Sequence, residues 1–250
     1  MSGYKAVTST APQGAGSRRL KRRRIRGNTG GMQLKVTYYL DVISSWCYWA
    51  EPAWAELKRR YAGVALFDWQ IALLDAGGLP GSSSQEEWFY RRSGTVVRSP
   101  FMLDAGWLEP GRTEYFAVNA VTEAGRDFGF ADDRLRIALA EAAVRQGRKV
   151  GLWEVCAEVA EEATGISAST LVDAARTPAI EQRIRASTAE FHALKVTQRP
   201  TFVIDDAIGD RVVFSGLVQV EPMVAAMEAM LRDCTAYASW KAHFGDPPRE

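Results

Sequence analysis

Two side chains able to do chemistry, Ser44 and Cys47, stand three positions apart in the run Ser44-Ser45-Trp46-Cys47. The largely apolar run from Leu34 to Leu40 predicts a buried strand before them, and Ala53 to Tyr61 predicts a helix after them. Backbone N–H groups at a helix start lack partners and, with the helix dipole, favour an anion. A serine there does not ionise usefully near pH 7, but its hydroxyl can hydrogen-bond a thiolate that another molecule brings.

Ser44 also has a purely structural interpretation, because serine is a favoured N-cap residue at the start of a helix. Cys47 lies one turn further along the chain, and we expect it to be the less exposed of the two. The local sequence leaves both interpretations of Ser44 open.

A second informative segment is Arg199-Pro200-Thr201-Phe202-Val203-Ile204, in which a proline directly precedes a short β-branched run. Proline is tolerated at the first residue of a strand, since it donates no hydrogen bond to the ladder. An ordinary strand start would explain this proline alone. Its pairing with the Ser44–Cys47 run is more specific than either segment by itself.

The two segments together resemble the DsbA-like branch of the thioredoxin superfamily. That branch includes DsbA-type oxidoreductases, kappa-class glutathione transferases and 2-hydroxychromene-2-carboxylate isomerases. The resemblance spans roughly Gln33 to Arg232 and implies an α/β class, with a thioredoxin-like fold and an inserted α-helical domain. It also implies a cis-proline at Pro200. The matching residues are Tyr38 to Val42, Ser44 to Tyr48, Arg199 to Ile204, and Phe214-Ser215-Gly216.

The active-site motif is a hybrid of those found in the branch. Ser44 matches the serine that meets the glutathione sulfur in the kappa-class and isomerase members. Cys47 matches the second cysteine of the oxidoreductases, and Ser45 replaces the usual proline. After Gly216 the chain continues Leu217-Val218-Gln219, where the glutathione users carry a polar patch with an acidic residue.

The resemblance implies catalytic roles for Ser44 and Cys47. It also implies that the Thr201 backbone pairs with the peptide part of glutathione. The residues expected to bind substrate or cosubstrate are Ser45, Trp46, Tyr48, Arg199, Pro200, Thr201, Ser215 and Gly216.

Three functions fit these residues. The first is a transferase or isomerase that uses glutathione or another low-molecular-weight thiol as cosubstrate and acts on a small electrophile. The second is a monothiol thiol-disulfide oxidoreductase using Cys47. The third is a non-catalytic thioredoxin-like binding protein. No tightly bound cofactor is expected.

Composition divides the chain of 250 residues into unlike parts. Residues 1–31 hold eight Lys or Arg and no acidic residue, which predicts a disordered basic tail without specific nucleic-acid binding. The remainder holds 23 basic and 30 acidic residues. We predict a thioredoxin-like domain over 32–75 plus 195–233, a helical insertion over 76–194, and a C-terminal tail over 234–250.

The numbers and spacing of cysteines and histidines bear on metal binding and on the cellular compartment. Three cysteines and two histidines have no zinc-ligand spacing, so no metal site is expected. Sparse cysteines suit a reducing cytoplasm. No segment reaches the apolar length of a membrane span. The expected partner is a small-molecule substrate, and a homodimer remains open.

Overall fold

The fold is built on a mixed four-stranded sheet in the order β2-β1-β3-β4. The structure is a computed structural model and describes residues 33–248, so the predicted basic tail over 1–31 lies outside the described residues. β1 runs parallel to β2 and antiparallel to β3, and β3 is antiparallel to β4. The strands are β1 (Leu34–Leu40), β2 (Ala65–Ile71), β3 (Thr201–Asp206) and β4 (Arg211–Ser215).

Helix α1 (Ser45–Arg60) makes the crossover between the parallel strands β1 and β2. Six further helices lie between β2 and β3, which is the predicted position of the helical insertion. They are α2 (Ser83–Val96), α3 (Phe116–Gly125), α4 (Arg134–Val144), α5 (Trp153–Thr164), α6 (Ala168–Ala175) and α7 (Pro178–Ala193). Helix α8 (Glu221–Phe244) ends the described chain, and none of the helices over 33–248 is long and apolar enough to cross a bilayer.

Aromatic side chains fill the core between the sheet and α1. The ring of Tyr38 on β1 stacks on Phe202 of β3, with ring centroids 4.6 Å apart. Trp54 on α1 packs against Tyr38 at 5.3 Å. Burial of such large side chains stabilises the fold strongly, and it fixes α1 against the strands that carry both predicted site segments.

Two helices extend beyond their predicted bounds. Helix α1 begins at Ser45 rather than Ala53, because the Ser44 side chain caps it. Helix α8 continues through Phe244, so residues 234–244 of the predicted C-terminal tail are helical.

Candidate active site at the amino end of helix α1

Ser44 is the N-cap of α1, and its Oγ accepts a hydrogen bond from the Cys47 N–H at 3.3 Å. The first turn of α1 carries no acidic side chain. Within residues 33–248, the N–H groups of Ser45 and Trp46 have no hydrogen-bond acceptor. Two free backbone donors and the positive end of a 16-residue helix therefore lie beside the Ser44 hydroxyl.

Cys47 is a poorly reactive thiol in this setting. Its side chain is only 3% exposed, and burial raises the pKa of the thiol to about 12 although the Ser44 side chain opposes the rise. The Tyr38 hydroxyl donates to the Cys47 carbonyl at 2.9 Å and anchors this turn to β1. Because the thiolate is the nucleophilic form of cysteine, this burial and raised pKa predict slow reaction of Cys47 at neutral pH.

The strand register brings the second predicted segment to the same edge of the sheet. Tyr39 near the end of β1 pairs with Thr201 at the start of β3. The Arg199–Pro200 peptide bond directly before Thr201 is cis. The segment from β1 to Ser44 and the Pro200 turn before β3 therefore lie at the same end of these two paired strands.

Ser215 and Gly216 close the other side of the cis-proline turn. The Gly216 N–H donates to the Pro200 carbonyl at 2.8 Å. The Thr201 hydroxyl donates to the Gln198 carbonyl at 2.6 Å and lies 3.1 Å from Ser215 Oγ. The structure thus joins Pro200, Thr201, Ser215 and Gly216 in one cluster, and their predicted contact with a ligand stays a prediction.

Arg199 is not oriented for the predicted ligand contact through its side chain. Its guanidinium is directed inward, where it donates to the carbonyls of Ala72 and Leu73 and lies 4.3 Å from the centre of the Phe191 ring. Burial lowers the pKa of Arg199, whereas the nearby Asp41 raises it. This side chain therefore holds the segment after β2 in place.

The backbone at the cis-proline also differs from the prediction. Thr201 lies in β3 opposite both Tyr39 and Ser215, so neighbouring strands flank its backbone on both sides. By contrast, the Arg199 N–H has no acceptor among residues 33–248. The free backbone donor next to Pro200 thus belongs to Arg199 and not to Thr201.

Asp41 is a buried carboxylate, 2% exposed beneath the motif, whose role is not predicted from the sequence. Asp41 accepts from the N–H groups of Ile43 at 3.2 Å and Leu74 at 2.8 Å, and from the Asn119 side chain at 3.0 Å. Burial raises the pKa of Asp41, while these hydrogen bonds and the Arg199 charge oppose the rise. The available signal was an acidic residue placed directly after an apolar strand.

The remaining predicted residues on α1 are half-buried. Ser45, Trp46 and Tyr48 each retain part of their surface, so they are available to a ligand at the helix start. Neither Ser44 nor Pro200 lines the cavity of about 720 Å³ that lies against the C-terminal half of α8, or the cavity of about 400 Å³ beside α2.

Solved structures with the same fold include a disulfide reductase, a candidate disulfide isomerase and a 2-hydroxychromene-2-carboxylate isomerase. A candidate protein disulfide isomerase from Nitrosomonas europaea is 16% identical with a TM-score of 0.67, and the match covers 80% of this chain and 98% of that one. The cytosolic disulfide reductase DsbM from Pseudomonas aeruginosa, solved with GSH, is 17% identical with a TM-score of 0.62, over 79% and 99%. A 2-hydroxychromene-2-carboxylate isomerase is 16% identical with a TM-score of 0.51, over 82% and 98%.

These similarities establish the fold alone, since all three identities are low. No curated protein sequence matches the chain significantly. The family model described as the DSBA-like thioredoxin domain matches residues 35–228, which include β1, the Ser44–Cys47 motif, the helical insertion and the cis-proline strand. The chain therefore belongs to the DsbA-like thioredoxin domain family.

Proposed function

We propose that this protein is a thiol-dependent transferase or isomerase, which binds the thiolate of glutathione or a similar small thiol at Ser44 and directs it to a small electrophile. The observation that carries the proposal is the combination at the amino end of α1. A capping hydroxyl and two unpaired N–H groups lie there, without an acidic side chain in the first turn. Donors of this kind, already in position, stabilise a negatively charged sulfur.

The state of Cys47 argues against a disulfide oxidoreductase. Disulfide exchange requires an accessible thiolate, whereas Cys47 is buried and its thiol has a pKa of about 12. Position 44, where such enzymes carry the attacking cysteine, is a serine. The motif holds a single cysteine, so it cannot form the internal disulfide that a dithiol redox cycle requires.

The backbone beside Pro200 supplies a second contact for a peptide-like thiol. The Arg199 N–H is free to donate to a carbonyl of such a ligand. DsbM, which shares the fold, has been solved with GSH. This similarity supports glutathione as the first thiol to test. The three buried free cysteines suit the cytoplasm as the compartment for this reaction.

In the transferase reaction, the thiol first loses its proton to solvent, and the Ser44 hydroxyl with the Ser45 and Trp46 N–H groups stabilises the thiolate. The sulfur then forms a bond to an electron-poor carbon, and the bond from that carbon to its leaving group breaks with its electron pair. In an isomerisation, the sulfur forms a bond to one carbon of a carbon–carbon double bond conjugated to a carbonyl, and the π electron pair moves onto the carbonyl oxygen as an enolate. The former double bond, now single, rotates; the enolate pair then re-forms the double bond as the carbon–sulfur bond breaks and the thiolate leaves. The protein contributes binding and charge stabilisation in both cases.

The test is turnover of glutathione with chlorodinitrobenzene by the wild type and by Ser44→Ala. A hydrogen bond to a charged group contributes about 1.5–3 kcal/mol, so kcat/KM is expected to fall by about ten- to a hundredfold. Ser82→Ala is the matched control, because Ser82 caps α2 in the same way, with its Oγ accepting from the Gln85 N–H at 3.2 Å.

Full activity of Ser44→Ala, or the same loss in Ser82→Ala, would contradict the role of Ser44. Calorimetric binding of glutathione without any turnover of electrophiles would instead support a binding protein. Loss of activity in Cys47→Ser with an active Ser44→Ala would support the monothiol oxidoreductase.

A further inference from the structure

The two halves of helix α8 have different surroundings. Met223, Met227 and Met230 in its first half are buried in the same core as the strands. Every residue from 235 to 244 is also helical but is exposed. Helices in proteins draw most of their stability from the packing of one face. The second half of α8 gains little of this stabilisation from the rest of residues 33–248.

Three large aromatic side chains lie along one face of this exposed half. Tyr237, Trp240 and Phe244 are 63%, 63% and 61% exposed, and their spacing of three and four residues places them on one side of a helix. The Trp240 and Phe244 rings lie 4.0 Å apart, so they present a continuous apolar surface. We call these three side chains the aromatic stripe. Exposed apolar patches of this kind mark interaction sites on proteins.

A groove adjoins the aromatic stripe. A cavity of about 720 Å³ is lined by the three rings and, from the body of the fold, by Gln33, Ala207 and Ile208. A ridge of rings and a recess beside it thus lie on one surface. Such a surface can pack against a second copy of itself about a two-fold axis, in which the same patch serves both partners.

The charges along this face are also complementary to a second copy. Asp233 lies four residues before Tyr237 and Lys241 lies four residues after it, so all three share one side of the helix. When two α8 helices pack antiparallel at Tyr237, each Asp233 faces Lys241 of the partner subunit. Within residues 33–248, Asp233 is in no salt bridge, and Lys241 pairs only with the exposed Asp246, at 3.0 Å.

The exposed area of the aromatic stripe suits a dimer contact. A large aromatic side chain can bury about 150–250 Å², and these three are each about 60% exposed. Their burial in both copies would remove roughly 550–900 Å² from water, about half of the roughly 1,200–2,000 Å² that a stable interface buries in total. The flanks of the helix and the groove supply further area.

We propose that the protein forms a two-fold symmetric dimer, in which the aromatic stripe of one copy packs antiparallel against the aromatic stripe of the second copy. The partner covers the exposed half of α8, and the two Asp233–Lys241 pairs fix the register. The contact includes no residue of the Ser44 site.

The test is sedimentation equilibrium of the full chain, whose mass of 27.6 kDa is expected to double. Trp240→Ala is expected to weaken dimerisation at least about tenfold, because buried tryptophans are among the side chains that dominate interface energies. Trp88→Ala is the matched control, since Trp88 is likewise exposed, at 56%, but lies on α2. It should dimerise as tightly as the wild type.

Charge reversal tests the register of the two helices. Asp233→Lys and Lys241→Asp should each weaken the dimer at least about tenfold, because each places like charges opposite one another at both ends of the contact. The double variant should recover most of the lost affinity, since it restores two pairs of opposite charge. Circular dichroism checks that every variant is folded.

A full chain that stays monomeric at high micromolar concentration overturns the proposal. Equal weakening by Trp88→Ala overturns it as well, as does a double variant that is no tighter than the single ones. A monomeric full chain that dimerises only after removal of residues 1–31 would show that those residues, and not a second copy, cover the aromatic stripe. The assay contains no thiol or electrophile, so its outcome is separate from the turnover test of Ser44.

Discussion

The reactivity of Cys47 offers the sharpest quantitative prediction. With a pKa of about 12 against an ordinary value of 9.0, the thiolate fraction of Cys47 at pH 7 is about one in 100,000, whereas that of an ordinary cysteine is roughly 1%. The thiolate of Cys47 is therefore about 1,000 times rarer. Burial of the sulfur restricts access further. We therefore expect native Cys47 to react with iodoacetamide at least a thousandfold more slowly than free cysteine.

The assay is alkylation of the native protein at several pH values, followed by mass spectrometry of the peptide that contains Cys47. Ser44→Cys provides the internal contrast. A cysteine at position 44 would have the free N–H groups of Ser45 and Trp46 beside its sulfur, which lower the pKa of a thiol. It should be alkylated first and should form a disulfide with Cys47 under mild oxidant.

Two results would refute this reasoning. Rapid alkylation of wild-type Cys47 at pH 7 would show that the sulfur is accessible and ionised, and would restore the monothiol oxidoreductase. Failure of Ser44→Cys to form an internal disulfide would show that positions 44 and 47 do not face each other at the helix start.

Two further predictions concern stability. The pKa of Cys47 is about 12 in the folded protein, against an ordinary value of 9.0. Unfolding above about pH 9 therefore releases the thiol proton. The Cys47 contribution to the free energy of unfolding should consequently fall by about 1.4 kcal/mol per pH unit between pH 9 and pH 12. Denaturant titrations should show this steeper decline in wild type than in Cys47→Ser, and equal slopes would contradict it. Asn119→Ala leaves the buried Val42 N–H without its acceptor, so a loss of about 3 kcal/mol is expected, or a Tm lower by about 6–12 °C. Thr122→Val removes only a bond within α3, and an equal Tm loss there would refute the special role of Asn119.

The sequence predicts the fold well because its signals are local. The apolar run of β1 and the proline before β3 each indicate a strand from neighbouring residues alone. The resemblance to DsbA-like proteins then supplied the arrangement of these elements, which the family match over residues 35–228 confirms.

The site was harder to predict, because side-chain direction depends on distant segments. Arg199 was expected to reach a ligand, yet its guanidinium is held by the Ala72 and Leu73 carbonyls, which lie far away in sequence. Asp41 acquires its role only when Leu74 and Asn119 surround it.

The hydrogen bonds of Asp41 also bear on whether the insertion and the sheet unfold together. One carboxylate joins the end of β1, the segment after β2 and helix α3 of the insertion. Separating the insertion from the sheet would break the bond from Asn119 to Asp41 and leave the Val42 N–H without its acceptor. The first of these bonds, to a charged group, contributes about 1.5–3 kcal/mol, which is a sizeable share of the roughly 5–15 kcal/mol that stabilises a domain. The insertion and the thioredoxin-like strands are consequently one cooperative unit, in agreement with the single compact body that the described residues form. A chain with the insertion removed would lose the support of its own active-site loop.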